Sequence, residues 1–234
     1  ITDAPIKEML SVPLQQIART VRDNEESLTQ EEKDLIYKFL PVDNLGQRYN
    51  PLISDSVKEN LDNDAFQNNK MEFIKLWFNL LVKHPRSYVE SFLVGSFGYW
   101  YPETTNWVTV NWDDYPILDY LDYKKDPIVE LGVVKGLEEF ANTRNIPVIS
   151  MVLFSIGFNF WMILIITMYC IYKKQYRYMV TLVPIIILWL TNLASPVWCE
   201  YRYIYGMFTT MPIFLFLVTS LLNSETKFKE RRKK

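Results

Sequence analysis

Three uncharged stretches close this chain, and no soluble fold calls for three of them in succession. Residues 146–172, 178–199 and 203–224 contain no Asp, Glu, Lys or Arg. Each exceeds the roughly 20 apolar residues that a helix needs to cross about 30 Å of hydrocarbon. Every backbone amide in lipid must be satisfied inside its own helix, so such runs predict transmembrane α-helices. The expected fold class is therefore mainly α. It is an integral membrane protein with a mostly helical extracytoplasmic domain over 1–145 and a membrane domain over 146–234. The spans are expected at about 148–172, 178–198 and 203–222.

The flanking charges orient these spans. Lys173, Lys174 and Arg177 separate the first two, and Lys227, Lys229, Arg231, Arg232, Lys233 and Lys234 follow the third. Short basic loops and tails stay on the cytoplasmic side, so 225–234 is read as a cytoplasmic tail and the loop 195–202 as external. Residues 1–145 carry 15 Lys+Arg against 24 Asp+Glu, and residues 146–234 carry 10 against 3. The overall net charge of −2 conceals this split. The implied localisation is the cell membrane, multi-pass, with 1–145 outside and the C-terminus in the cytoplasm. No basic stripe with interleaved aromatics is present, which argues against nucleic acid as a partner. The basic tail suits the anionic headgroups of the lipid bilayer, although such tails are usually solvated, orienting segments.

The two cysteines, Cys170 and Cys199, fall at opposite ends of their spans and so on opposite faces of the membrane, which excludes a disulfide between them. An outer region without cysteine is unlike a secreted disulfide scaffold and points to a bacterial envelope. The sequence begins at Ile1 with no basic n-region or apolar h-region. An exported domain of this size needs an upstream signal or span, so the chain is read as the C-terminal part of a larger protein.

The outer half reads as helices. Leu14, Ile17, Ala18 and Val21 recur at helical spacing, with Pro13 in the first turn. Thr29 with Glu32 forms a capping-box pattern ahead of Leu35, Ile36, Phe39 and Leu40, and Pro41 ends that helix. Residues 43–55 are rich in turn formers and read as a loop. From Asn69, an apolar helix edged by Lys70, Lys75 and Lys83 leads through His84-Pro85 into an aromatic helix expected to end at Trp100-Tyr101-Pro102. The first of these helices either packs into a core or lies in the membrane interface, where Trp and Lys are favoured; the stretch around 70–101 is read as interfacial, with the 85–101 helix interfacial or re-entrant. The candidate core comprises Leu14, Ile17, Val21, Leu35, Ile36, Phe39, Ile74, Trp77, Phe78 and Leu81.

Candidate chemistry concentrates in two places. Glu200 and Arg202 are the only charges between Arg177 and Glu225, and Tyr203 and Tyr205 follow them. Charges held so close to spans face water, a partner or a ligand, and the planar fork of Arg202 suits phosphate. The plain alternative is an interface anchor, with Glu200 and Arg202 snorkelling into water. Asp113 and Asp114, with Asp119 and Asp122, offer carboxylates to a divalent metal or as a general base, though adjacent aspartates are more often solvated or salt-bridged. No cofactor is firmly indicated. His84 at a helix–proline junction suits a structural or capping role.

The order Lys75-Leu-Trp77, His84-Pro85-Arg-Ser-Tyr88, Gly98-Tyr-Trp100-Tyr-Pro102, then Ser195-Pro196, Glu200-Tyr-Arg202-Tyr203 and Pro212, resembles the C-terminal portion of bacterial GT-C-type membrane glycosyltransferases. That resemblance implies a polyprenyl-phosphate-linked sugar as donor and an envelope polysaccharide as acceptor, with further spans upstream as structural partners. It implies that Arg202, Tyr203 and Glu200 hold the donor phosphate, and that Trp107, Trp112, Asp113 and Asp114 form an acceptor or sugar surface. The catalytic acid of such enzymes sits in their first external loop, upstream of this sequence. Two other readings are a non-enzymatic, membrane-anchored envelope module that binds polysaccharide or a partner protein, and a transporter fragment.

Overall fold

The computed structural model describes residues 4–104, 136, 139–140, 147–194 and 201–232. No strand occurs among them, and the protein is mainly α-helical. The chain divides into two compact units, Ile1–Phe97 with Asn192–Trp198, and Gly98–Thr191 with Cys199–Lys234.

Unit 1 is built around α2 (Ser11–Asn24), which follows the short α1 (Ala4–Met9). Leu14, Ile17, Ala18 and Val21 lie on one stripe of α2 and are all buried. Pro13 occupies the first turn, where its missing N–H leaves no helical bond unmade. Next comes α3 (Gln30–Phe39), opened by a complete capping box: Thr29 Oγ1 accepts from the Glu32 amide, and the Glu32 carboxylate accepts from the Thr29 amide. It ends before Pro41, as the sequence predicts. The turn-rich segment after it is not a plain loop. Asn44 takes a left-handed conformation (φ 57°) and starts α4 (Leu45–Arg48), and α5 (Asp55–Lys58) follows. Gly46 sits against α2, where a Cβ would lie 2.8 Å from Arg22 Cα, so glycine is what lets α4 approach this closely.

The unit closes with α6 (Asn63–Asn68), α7 (Lys70–Lys83) and α8 (Pro85–Gly95). The aromatic helix stops at Gly95 rather than at residues 100–102, and a single 3-10 turn over Phe97–Tyr99 follows. The core face of α7 also differs from expectation. Phe73, Leu76 and Leu80 are buried, Trp77 and Leu81 are half-buried, and Ile74 and Phe78 are 50% and 55% exposed. Leu35 is likewise half-buried. Phe73 meets Phe39 and Phe66 edge-on at 5.3 and 5.2 Å.

Polar contacts fasten α7 and α8 to α2. Trp77 Nε1 donates to Gln16 Oε1 (2.9 Å), Tyr88 Oη donates to the Trp77 carbonyl (2.8 Å), and Asn24 donates to Ser87 Oγ (2.7 Å). Arg19 pairs with Asp23 and with Glu90, and Glu90 also accepts from Arg86. Burial pushes the phenol of Tyr88 well above its ordinary pKa, so it remains a donor.

Unit 2 contains α9 (Pro147–Phe154), α10 (Ile156–Tyr172), α11 (Tyr176–Ala194) as far as Thr191, and α12 (Tyr201–Arg232). Among the described residues α11 alone is, as a single helix, long and apolar enough to cross a membrane, and only 11% of its apolar window is buried. The stretch expected as one straight first span is instead two helices that pass the length and hydropathy test together but are bent by 78° at Ser155. Ser155 is extended (φ −84°, ψ 117°), which interrupts the helical ladder, and its side chain caps α10 by accepting from the Phe158 amide. The buried stripe of α10 runs Ile156, Asn159, Ile163, Ile166, Cys170, and that of α12 runs Ile204, Met207, Met211, Phe214. Trp161, Ile165, Met168, Val183, Ile187, Leu190, Ile213 and Phe216 face outward. Lys174, in a left-handed conformation (φ 55°), makes the turn from α10 to α11.

The inverted face of α7 is open to test. Leu80→Ala should destabilise unit 1 by about 2–5 kcal/mol, as for any fully buried leucine. Phe78→Ala should change stability by less than about 0.5 kcal/mol. Unfolding of the full chain followed by amide hydrogen exchange at α2 reads both; equal losses would return Phe78 to the core.

Candidate functional site

Of the residues singled out by sequence, the structure places two together. Arg202 and Tyr203 occupy the first turn of α12. The guanidinium carbon of Arg202 lies 4.8 Å from the centroid of the Tyr203 ring, and both side chains are exposed. Behind them Tyr201 packs against Phe208 (4.3 Å), Tyr205 (5.7 Å) and Phe154 (6.3 Å), so an aromatic bed supports the turn. Glu200, Trp107, Trp112, Asp113, Asp114, Asp119 and Asp122 lie outside the described residues. Among the described residues no group of three or more His, Cys, Asp or Glu is arranged to hold a metal ion.

The turn sets a cation at the start of a helix. A helix N-terminus carries partial positive charge and unsatisfied amides, so a cation placed there is not stabilised by the helix itself. An anion at the same point gains from the amides and from Arg202 together.

A second constellation was not expected from the sequence. The segment Gly98–Thr104 packs on the bend between α9 and α10. Trp189 Nε1 donates to the Tyr99 carbonyl (2.9 Å), Trp161 Nε1 to the Trp100 carbonyl (2.8 Å), and Ser155 Oγ to the Pro102 carbonyl (2.5 Å). Tyr99 is fully buried. Gly157 makes the contact sterically feasible, because a Cβ there would stand 2.4 Å from the Tyr101 oxygen. Phe160 stacks on Trp189 at 4.3 Å, which fixes that indole. Asn159 Nδ2 donates to the carbonyls of Val152 (3.2 Å) and Ser155 (2.8 Å), covering acceptors that the bend exposes. The available signal was the pair of tryptophans inside apolar runs, since an indole N–H in apolar surroundings needs an acceptor.

His84 sits at the α7–α8 junction. It precedes Pro85 at the N-cap position but makes no side-chain cap bond, and its buried Nε2 has no partner among the described residues. The imidazole is held below its ordinary pKa by burial first and by the Lys83 charge second, with Glu32 opposing.

Comparison with known proteins gives a family. The model of a family of unknown function, DUF6020, matches residues 1–234, and the chain belongs to that family. No curated protein and no solved structure matches it.

His84 is the sole histidine, so its titration is directly visible by NMR. Its midpoint should fall below 6.5, with Lys83→Met raising it and Glu32→Gln lowering it further. The unfolded chain then binds the proton more tightly than the folded one. The stability contributed by the neutral junction is complete above pH 6.5 and is lost as pH falls through the folded value. A midpoint above 6.5 would contradict the buried junction.

Proposed function

We propose that this member of the DUF6020 family is the multi-pass, membrane-embedded C-terminal part of a glycosyltransferase that uses a polyprenyl-phosphate donor at the outer membrane face. The observation that carries the reading is the exposed Arg202–Tyr203 pair at the start of α12. The membrane setting is supported by the outward faces of α10, α11 and α12, which are lined by Ile, Val, Leu, Met, Phe and Trp where a soluble helix would be polar. α11 supplies one span, the bent α9–α10 pair a second, broken one, and α12 with its uncharged stretch 203–224 the third. The basic α10–α11 turn and the basic C-terminus lie in the cytoplasm.

In this reading the phosphate of the donor docks at the first turn of α12. Arg202 and the helix amides stabilise the negative charge that grows on the phosphate as the glycosidic bond to it breaks, an interaction strongest in the transition state. Tyr203 holds the guanidinium plane by its ring face. A carboxylate upstream of this sequence takes the proton of the acceptor hydroxyl. Glu200 completes the donor site, and Trp107, Trp112, Asp113 and Asp114 offer the surface for the sugar or the envelope polysaccharide.

Polyprenyl phosphate binding to the chain in nanodiscs is the direct test. Arg202→Ala should weaken it at least about tenfold, the loss expected for a charge-assisted bond of roughly 1.5–3 kcal/mol. Arg202→Lys should recover only part, because an ammonium lacks the planar fork. Equal affinity in all three proteins would remove the phosphate site and leave a membrane-anchored module that binds polysaccharide or a partner protein.

A further inference from the structure

The structure leaves α7 with two apolar faces and only one of them buried. On a helical wheel Met71, Ile74, Lys75, Phe78 and Val82 fall within about 100° of one another, and Leu80 of the core lies on the far side. Met71 is 66% exposed, Phe78 55% and Val82 67%. Lys75 sits at one edge of this stripe and Lys70 at its start, and neither makes an ion pair among the described residues. α8 repeats the pattern with Val89 and Leu93 exposed on one side and Ser87, Tyr88 and Ser91 buried on the other.

We propose that this exposed stripe of α7 docks on a lipid bilayer, lying along the boundary between headgroups and acyl chains with anionic headgroups at Lys70 and Lys75. Two occupants compete for such a face, and the position of Lys75 separates them. In a two-fold contact between copies, Lys75 at the rim of the apolar seam would be brought towards its own copy, with no acid on the stripe to receive it. At a membrane surface the same lysine lays its methylene stem among apolar neighbours and carries its ammonium up to phosphate. A large apolar face with Lys on its edges and an aromatic at its centre is the composition of helices that lie in the interfacial plane.

The inference rests on the membrane setting proposed above and is independent of the phosphate site at Arg202. It is tested on the full chain in nanodiscs containing phosphatidylglycerol, with Cys170→Ala and Cys199→Ser removing the native thiols. A spin label is placed singly by cysteine substitution at Ile74, Phe78, Val82, Ile187 or Glu31. Ile187 faces outward on α11 and Glu31 is exposed on α3. Labels at 74, 78 and 82 should collide more with oxygen than with a water-soluble nickel chelate, as at 187, and the label at 31 should do the reverse. Replacing Lys70 and Lys75 by Glu should shift the α7 labels towards the chelate in anionic nanodiscs.

Chelate accessibility at 78 and 82 equal to that at 31, with 187 still immersed, overturns the docking face and leaves the membrane setting standing. Aqueous accessibility at 187 overturns both. Spin–spin broadening at 78 that disappears on dilution with unlabelled chain assigns the stripe to a second copy instead.

Discussion

The bend at Ser155 is the constraint on which unit 2 depends. A helix that stops and restarts exposes several carbonyls and amides at once, and in apolar surroundings each must find a partner. Here the partners are side chains: Ser155 caps the restart, and Asn159 covers two carbonyls on the preceding turn. The segment Gly98–Thr104 faces the same requirement, because an irregular backbone has no ladder of its own. Its carbonyls at Tyr99, Trp100 and Pro102 are satisfied by Trp189, Trp161 and Ser155. Ser155 serves both demands, donating to Pro102 while accepting from Phe158. The bend and the segment are thus one structure, and Gly157 is the close contact that allows it.

Unit 1 solves the opposite problem, that of packing many short helices on a small core. α2 does so by being apolar on one stripe and hydrogen-bonding beside it. Leu14, Ile17 and Val21 supply burial, while Gln16, Arg19 and Asn24 reach α7 and α8 through Trp77, Glu90 and Ser87. Burial supplies most of the stabilisation but is indifferent to register. The directional bonds choose which turn of α8 meets which turn of α2.

What could be read from the sequence follows how local each signal is. The capping box at Thr29 and Glu32, the stop at Pro41 and the α2 core stripe depend on neighbours within a turn or two, and all are found. The buried side of α7 could not be read, because Met71, Ile74 and Phe78 are as apolar as Phe73, Leu76 and Leu80. Periodicity reports a face only when the other face is polar. The bend at 155 escaped for a different reason: no proline marks it, and its cause includes a carbonyl at Pro102 more than fifty positions away. The adjacency of Arg202 and Tyr203 was legible as sequence, yet their placement on a first helical turn was not, since no N-cap signal separates Cys199 from Tyr203.

That placement is what gives Arg202 its significance. A cation in the last turn of a helix is a stabilising feature that calls for no ligand, but in the first turn it stands against the helix dipole. Solvent screening makes the cost small for an exposed side chain, and the Tyr203 ring offsets part of it. In the proposed function, the donor phosphate would lie between Arg202 and the first turn of α12, where the dipole and the guanidinium both favour negative charge. A phosphate has both the charge and the number of acceptor oxygens for that role.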